Sequence, residues 1–395
     1  MSCATRTWVI GCNTACMDTP VSGTCVERFS SVREAFRENF AERGEVGAGL
    51  SVIVDGETVV DLVGGWSDEA SREPWTANTL VNFYSVGKAL VATLLLQLVD
   101  AGTLDLDAPI ASLWPEFAAY DKGGATIRHA LTHRAGVPAI REDLSNEDLW
   151  DWGRMTGALA ATRPWFVPGS RLVYHTNTYG HLIGEIIRRA TGEMPGTRLR
   201  SVCEPIDADL WFGVRDVDLE RCAEVILASA SSPAQLPADD GSDETSMIMR
   251  GFFNPPGYSS FGVVNSSAWR RAQVPSTNGH GTANGLARFY AALLTPGQVL
   301  SEEMMVAATS VQSEGFCPVL GEQAMFGLGF QPTNPRRPFG PNPRSYGHFG
   351  TGGAVGFADP DTRVAFGYVM NHVIPRWQST RNRSLIDALY GSLSA

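Results

Sequence analysis

The sequence predicts an α+β protein, with one antiparallel sheet flanked by N- and C-terminal helices and a mainly helical lobe. Three observations support this prediction. The run LSVIVDGETVVDLVGG has two β-branched segments around Asp55-Gly56, a strong hairpin signal. The run GAVGFADPDTRVAFGYVMN predicts a second hairpin, turning at Asp359 to Asp361. Residues 83–296, between them, have mainly helical patterns. The simplest architecture therefore joins strands from both chain ends in one sheet.

The spacing of apolar residues predicts the helices in order. Residues 25–43 have apolar side chains at intervals of three or four, which predicts an amphipathic helix. The run VGKALVATLLLQLVDAG is apolar on nearly every side, so it predicts a buried helix that Gly102 is placed to end. The runs TIRHALTHRAG and YGHLIGEIIRRATG predict helices that end at glycine, and TANGLARFYAALL predicts another before Pro296. A last helix is expected from about Arg381 to Leu393.

The chain has 395 residues, which is too long for one ordinary core, so two lobes are expected. We assign residues 25–82 and 297–395 to the sheet domain and residues 83–296 to the mainly helical domain. Residues 1–24 are expected to be an extension outside the fold, with disorder as an open alternative. The true start of the protein is left open between Met1 and Met17. Two loops rich in proline and glycine, 231–244 and 331–347, are expected to form functional rims.

Composition and charge exclude several classes of function. The net charge is -11 and the pI is about 5.2, so no nucleic-acid partner is expected, because phosphate binding needs a basic face. No apolar run approaches the roughly 20 residues of a membrane span. The seven cysteines are scattered and no clear export signal precedes them, which favours reduced thiols in the cytoplasm. The oligomeric state stays open.

Two residue pairs raise the question of a metal, and neither pattern favours one. Cys12 and Cys16 lack matching partners. His129 and His133 are four residues apart, but the segment HALTHRAG lacks the glutamate of zincin helices. We therefore expect no metal and no cofactor.

The segment FYSVGKAL places a lysine at the head of one of the most apolar stretches of the chain. If a helix starts near Ser85, then Ser85 and Lys88 are neighbours on one face, with Cβ atoms about 5–6 Å apart. Burial lowers the pKa of a lysine, and a neutral amine can take the serine proton and make the hydroxyl a nucleophile. The alternative is a chance match with Lys88 facing water, because Ser-x-x-Lys is a short pattern.

Two more segments follow in order, WFVPGSRLVYHTNTYGHLIGEIIRRATG and YGHFGTGGAVGFADP. Together with FYSVGKAL and connectors such as LTHRAGVP and STNGHGTANGLARFYAALL, they resemble the serine β-lactamase and penicillin-binding-protein superfamily. The closest likeness is to class C β-lactamases and family VIII carboxylesterases. The resemblance covers nearly the whole chain from about residue 28, and it implies a β-lactamase/transpeptidase-like fold.

The resemblance also implies roles for particular residues. Ser85 is implied to be the acylated nucleophile and Lys88 its proton partner. Tyr174 falls at the tyrosine of Tyr-x-Asn, where it is implied to act as a base in acylation and to return the proton to the leaving group.

The third motif of the superfamily, Lys-Thr-Gly, corresponds here to His348, Phe349 and Gly350. The resemblance implies an oxyanion hole made by the backbone N–H groups of Ser85 and Thr351. His348 has two open interpretations: it polarises Tyr174 or the substrate ester, or it is only a hydrogen-bonded strand residue.

Two departures from the superfamily pattern favour the esterase branch. Tyr174 is followed by His175 and Thr176, so the asparagine that helps hold the substrate amide in β-lactamases is absent, although Asn177 could substitute in space. The lysine that would meet a β-lactam carboxylate is replaced by neutral His348, which favours uncharged esters.

The predicted function is a carboxylesterase-type serine hydrolase that cleaves small-molecule esters through an acyl-enzyme on Ser85. Transfer of the acyl group to an amine or alcohol is the alternative, since only the acceptor differs. A β-lactamase, an amidase or a non-catalytic binding relative is less expected. Trp165, Phe349 and Tyr258 are the candidate substrate-binding residues. The natural acyl group and acceptor stay open.

Overall fold

The computed structural model describes residues 19–227, 240–374 and 378–394. Most of the predicted extension, with Cys12 and Cys16, and most of the predicted loop 231–244 lie outside the described residues.

Fifteen strands are present in the described part of the chain. They are β1 (Val21–Cys25), β2 (Gly47–Val54), β3 (Glu57–Asp68), β4 (Glu73–Pro74), β5 (Val81–Asn82), β6 (Leu210–Trp211), β7 (Ile226–Leu227), β8 (His280–Gly281), β9 (Ser313–Cys317), β10 (Glu322–Phe326), β11 (Gln331–Pro332), β12 (Tyr346–Phe349), β13 (Val355–Asp359), β14 (Val364–Met370) and β15 (His372–Val373).

Twelve α-helices accompany them within the same described ranges. They are α1 (Ser30–Glu42), α2 (Gly87–Asp100), α3 (Ile127–Leu131), α4 (Asn146–Leu149), α5 (Trp152–Ala161), α6 (Thr178–Thr191), α7 (Pro195–Cys203), α8 (Asp243–Phe253), α9 (Ser267–Arg271), α10 (Ala283–Leu293), α11 (Glu302–Thr309) and α12 (Thr380–Ser394).

The main sheet has the strand order β1-β3-β2-β14-β13-β12-β11, with β4 added beside β3 and all neighbours antiparallel. The predicted hairpin turn has φ values of 51° at Asp55 and 84° at Gly56, as a tight two-residue turn requires. Strand β14 pairs with β2, so strands from the two ends of the chain lie side by side. The predicted α+β fold, with one antiparallel sheet built from both ends, is confirmed.

Small residues on one face of the sheet allow α10 to lie directly against it. A Cβ atom at Gly367 would lie 2.2 Å from the Ala283 carbonyl oxygen, and one at Gly356 would lie 2.4 Å from the Tyr290 ring. Gly356 and Gly367 are register partners in β13 and β14, so their Cα atoms share this face. Strand β12, which carries the third motif, is the next strand of the same sheet.

Two details of the predicted boundaries are wrong. Val21–Cys25 forms the edge strand β1 and pairs with β3, so the sheet begins within residues 1–24. The sequence gives no strand pattern here, because the central residues Ser22, Gly23 and Thr24 are polar or small and exposed. The run TIRHALTHRAG does not stay helical up to its glycine, because α3 ends at Leu131 and His133 takes a left-handed φ of 61°.

A buried ion pair ties α12 to the segment before β2. Arg381 Nη1 lies 2.5 Å from Glu45 Oε1, and both side chains are fully buried. The Tyr368 hydroxyl donates to the other carboxylate oxygen, and Arg381 Nη2 donates to the His372 carbonyl at 2.9 Å. These bonds compensate the desolvation of both charges only while both partners are present.

We expect Glu45→Gln to lower the free energy of unfolding by about 3–5 kcal/mol, because it leaves the Arg381 charge buried without its partner. The control is Asp55→Asn, which removes an exposed pair with Arg363 (2.8 Å) and should cost about 1 kcal/mol or less. Urea unfolding measures both. Equal small losses in the two variants would show that the buried pair does not stabilise the fold.

Candidate active site

Ser85 lies in the 3-10 turn Tyr84–Val86, directly before α2 begins at Gly87. Tyr84 has a φ of 52°, a conformation that non-glycine residues rarely adopt and that occurs preferentially at functional sites. A Cβ atom at Gly87 would lie 2.2 Å from the Pro275 carbonyl oxygen. Glycine at this position therefore lets the segment around Ser276 approach the first turn of α2.

Lys88 lies in that first turn with its side chain fully buried. Its Nζ is 3.0 Å from Ser85 Oγ, 2.7 Å from the Thr176 carbonyl oxygen and 3.0 Å from the Ser276 carbonyl oxygen. Burial lowers the pKa of Lys88 well below its ordinary value. As an ammonium, Lys88 can donate one N–H to each of these three oxygens; as a neutral amine, it can donate to the two carbonyls and accept the Ser85 proton.

Tyr174 brings a phenol to the same place. The Lys88 Nζ lies 4.9 Å from the centre of its ring, which stacks on Phe326 at 5.6 Å. Burial raises the pKa of Tyr174 above its ordinary value, and the Ser85 hydroxyl opposes that rise. The phenol is therefore protonated at neutral pH, which favours proton donation by Tyr174 and leaves Lys88 as the better base. The structure thus brings Ser85, Lys88 and Tyr174 together.

His348 lies on β12 with its ring 6.5 Å from the Tyr174 ring and fully buried. Its Nδ1 is 2.7 Å from the Phe349 carbonyl oxygen, so this nitrogen carries the proton. Its Nε2 has no hydrogen-bond partner among the described residues. Burial lowers the pKa of His348 to about 3. The residue is therefore neutral and cannot supply the positive charge of the lysine it replaces.

The turn after β12 is pressed against the turn that carries Ser85. A Cβ atom at Gly350 would lie 2.4 Å from the Phe83 carbonyl oxygen, so only glycine allows this approach. The Gly350 N–H donates to the Ala354 carbonyl at 2.7 Å, and Gly352 and Gly353 take φ values of 87° and 108°. No acceptor for the Thr351 N–H is found in the described part of the chain.

Two of the three candidate substrate-binding residues lie in the protein interior. Phe349 is fully buried and stacks on Phe339 at 4.6 Å. Tyr258 is 1% exposed and its hydroxyl is 2.7 Å from His181 Nδ1. The sequence suggested both aromatic residues as substrate contacts. In the structure, Phe349 packs in the core and Tyr258 forms an internal polar pair with His181.

Trp165 is half-buried and has a different environment. Its Nε1 donates to the Ala139 carbonyl at 2.8 Å. It packs, with Phe166, Phe252 and Val319, against an apolar cluster that includes Val173, the residue before Tyr174.

Asn177 does not replace the missing asparagine of the second motif. Its amide nitrogen donates to the Gly251 carbonyl and to Ser259 Oγ, both at 2.8 Å, and its amide oxygen accepts from Thr277 at 2.6 Å. All these contacts are internal, so Asn177 ties the segment after Tyr174 to the helical lobe.

The sequence did not indicate several of the groups that surround Lys88 and Tyr174. Thr176 and Ser276 act through backbone carbonyls, which have no side-chain signature. His133 packs on the Tyr174 ring at 4.7 Å between centroids, although the sequence suggested it only as a weak metal ligand. Cys317 accepts the Tyr174 N–H at 3.2 Å, and no pattern in the sequence indicated this contact.

His129 has a local structural role. Its Nδ1 accepts the Thr126 N–H at 3.3 Å in a capping box at the start of α3. Within residues 19–227, 240–374 and 378–394, no group of three or more histidine, cysteine or acidic side chains could hold a metal ion. None of the helices in those ranges is long and apolar enough to cross a lipid bilayer.

Comparison with known proteins places this geometry in a family. The Beta-lactamase family model matches residues 32–390, so the chain belongs to the β-lactamase family. It is 32% identical over 370 residues to the esterase/β-lactamase LipL of Mycobacterium tuberculosis (strain ATCC 25618 / H37Rv), covering 90% of this chain and 83% of that protein.

Two crystal structures share the whole fold. A penicillin-binding-protein homologue from Caulobacter crescentus superimposes with a TM-score of 0.87 and 37% identity, covering 95% of this chain and all of that one. A family VIII carboxylesterase superimposes with a TM-score of 0.86 and 34% identity, covering 94% of this chain and all of the other. Together with the family match, these relatives identify the chain as an enzyme of the serine β-lactamase superfamily.

We expect Gly350→Ala to slow covalent labelling of Ser85 by a fluorophosphonate about a hundredfold, because the methyl group pushes the Phe83 carbonyl by about 1 Å. The control is Gly157→Ala in α5, where a Cβ atom would meet nothing within 4 Å; its labelling rate should not change. Circular dichroism checks that both variants are folded. Unchanged labelling in folded Gly350→Ala protein would show that the close approach does not position Ser85.

Proposed function

We propose that the protein is a carboxylesterase that cleaves small-molecule esters through an acyl-enzyme on Ser85. The observation that supports this most is the buried Lys88 amine. Two backbone carbonyls accept its N–H groups and Ser85 Oγ lies 3.0 Å from it. This is the arrangement that an activated serine nucleophile needs.

In the proposed acylation step, Ser85 Oγ attacks the ester carbonyl carbon while its proton passes to the neutral Lys88 amine. The negative oxygen that forms accepts hydrogen bonds from the Ser85 and Thr351 N–H groups. Tyr174 then gives its phenolic proton to the leaving alcohol oxygen and takes a proton from the Lys88 ammonium. The products of this step are an alcohol, an ester on Ser85 and a neutral Lys88.

In the deacylation step, water attacks the acyl carbon and its proton travels the same route in reverse to Ser85 Oγ. This releases a carboxylic acid and restores the serine. An amine or alcohol in the place of that water would give acyl transfer instead, from the same intermediate.

Two features support an ester rather than a β-lactam as the substrate. The position of the second-motif asparagine holds Thr176, and Asn177 is fully occupied by internal contacts. The third motif offers a neutral imidazole, since burial lowers the pKa of His348 to about 3, so a β-lactam carboxylate would lack its usual cation. The name of the family VIII carboxylesterase agrees with this choice, whereas LipL is named both an esterase and a β-lactamase.

We also propose a cytoplasmic location. The cysteines of the described residues, Cys25, Cys203, Cys222 and Cys317, are all free thiols and two of them are buried. Unpaired thiols are typical of reducing compartments.

The proposal predicts steady turnover of a chromogenic short-chain ester such as p-nitrophenyl butyrate, and the loss of that turnover in Ser85→Ala. Mass spectrometry of protein quenched during turnover should show the acyl group on Ser85. A chromogenic cephalosporin assayed in parallel should be hydrolysed at least about a hundredfold more slowly, a difference of ~2.7 kcal/mol in the barrier.

Equal ester turnover in the wild type and in Ser85→Ala would eliminate the serine mechanism. Comparable rates with the ester and the cephalosporin would instead retain the mechanism and refute the choice of substrate class.

A further inference from the structure

The segment that carries Tyr174 has no helix or sheet of its own. Residues 172–175 are irregular, so their buried N–H groups need individual partners. The Val173 N–H donates to the His133 carbonyl at 3.1 Å, the Tyr174 N–H to Cys317 Sγ at 3.2 Å, and the His175 N–H to His133 Nδ1 at 3.1 Å. Three successive N–H groups are therefore held by only two residues from elsewhere in the chain.

His133 holds both neighbours of Tyr174, one through its backbone and one through its ring. It can do so because it leaves the helical path after α3 with a φ of 61°. Its ring is 1% exposed and packs against the rings of Tyr174 and Tyr179, each at 4.7 Å between centroids. An Nδ1 that accepts a hydrogen bond requires a neutral imidazole with its proton on Nε2, and burial lowers the pKa of His133 well below its ordinary value.

The hairpin of β9 and β10 completes the support from the other side. Cys317 is the last residue of β9, and Ser313 at its start donates to the Thr132 carbonyl at 2.9 Å, next to His133. Phe326 on β10 stacks on the Tyr174 ring. The hairpin thus connects the His133 turn with the Tyr174 segment.

The same segment also supplies one of the two carbonyls that hold Lys88, because Thr176 directly follows His175. A displacement of residues 173–176 would therefore move the phenol and the Lys88 acceptor together. Such a displacement costs activity steeply, since an error of about 1 Å in a reacting group can cost a hundredfold in rate.

We propose that His133 is a positioning residue: its Nδ1 and carbonyl oxygen fix the Tyr174 segment, so that the phenol and the Thr176 carbonyl stay in register with Ser85 and Lys88. The consequence for catalysis rests on the proposed function, whereas the hydrogen-bond arrangement does not. Cys317 provides the third bond of the same support.

The test compares His133→Asn with His133→Ala in the full-length protein. Asparagine carries an acceptor oxygen near the place of Nδ1 and tolerates a left-handed φ, whereas alanine offers no acceptor. Both variants leave a smaller side chain in the same site, and they differ in the acceptor and in their tolerance of the left-handed φ of 61°. The Cys317 variants do not have this second difference, because Cys317 is not among the residues with a positive φ. A second pair, Cys317→Ser and Cys317→Ala, varies the other bond in the same way.

We expect His133→Ala to lower kcat for p-nitrophenyl butyrate at least about tenfold with KM unchanged, and His133→Asn to recover most of that loss. Exchange of the amide hydrogens of residues 173–175, followed by mass spectrometry, should be at least about tenfold faster in His133→Ala than in His133→Asn. Circular dichroism at the assay temperature confirms that both variants are folded.

Equal kcat values and equal exchange rates in the two variants would overturn the proposal, because the acceptor would then be irrelevant. Faster exchange without a loss of kcat would also overturn it, because the bonds would exist without positioning the phenol. If the wild type shows no Ser85-dependent turnover, the proposed function fails, and the exchange comparison alone then decides whether His133 holds the segment.

Discussion

The site depends on one buried amine. Lys88 enters the protein interior at the first turn of α2, where two backbone carbonyls and one hydroxyl surround its Nζ. Burial removes the Lys88 ammonium from water, which costs free energy. The pKa of Lys88 therefore falls and the neutral amine is favoured. A neutral Lys88 amine has one lone pair, which can accept the proton of the Ser85 hydroxyl. The proposed activation of Ser85 rests on this burial of Lys88.

Several segments must approach one another closely to build this environment, and glycine permits the approach at the critical points. Gly87 admits the Pro275 carbonyl next to α2, and Gly350 admits the Phe83 carbonyl next to the end of β12. Both are contacts between backbones, which side-chain motion cannot relieve. The sheet holds β12 through β13 and β14 to β2, so the third motif is fixed by strands from both ends of the chain. The Tyr174 segment lacks such a frame and is held by His133 and Cys317 instead.

Much of the fold could be predicted from the sequence because its signals are local. The turn at Asp55-Gly56, the apolar run of α2 and the terminal helices each follow from a period or a turn residue. Edge strand β1 gave no such signal, since its central residues are exposed and small or polar. In the site, Ser85, Lys88 and Tyr174 were predicted as side chains in motifs, whereas the Thr176 and Ser276 carbonyls are placed only by tertiary structure. Phe349 and Tyr258 are buried, and their burial could not be predicted, because an aromatic residue near a motif looks the same in sequence whether it faces a pocket or the core.

The state of the Lys88 amine is the central claim, and it can be measured without a substrate. Lysine labelled with carbon-13 at Cε gives NMR shifts that report protonation, and the Lys88→Met variant identifies the signal. We predict that this resonance titrates well below the ordinary pKa of a lysine, because burial disfavours the ammonium. A Lys88 resonance that stays charged up to the pH at which a free lysine titrates would contradict this prediction.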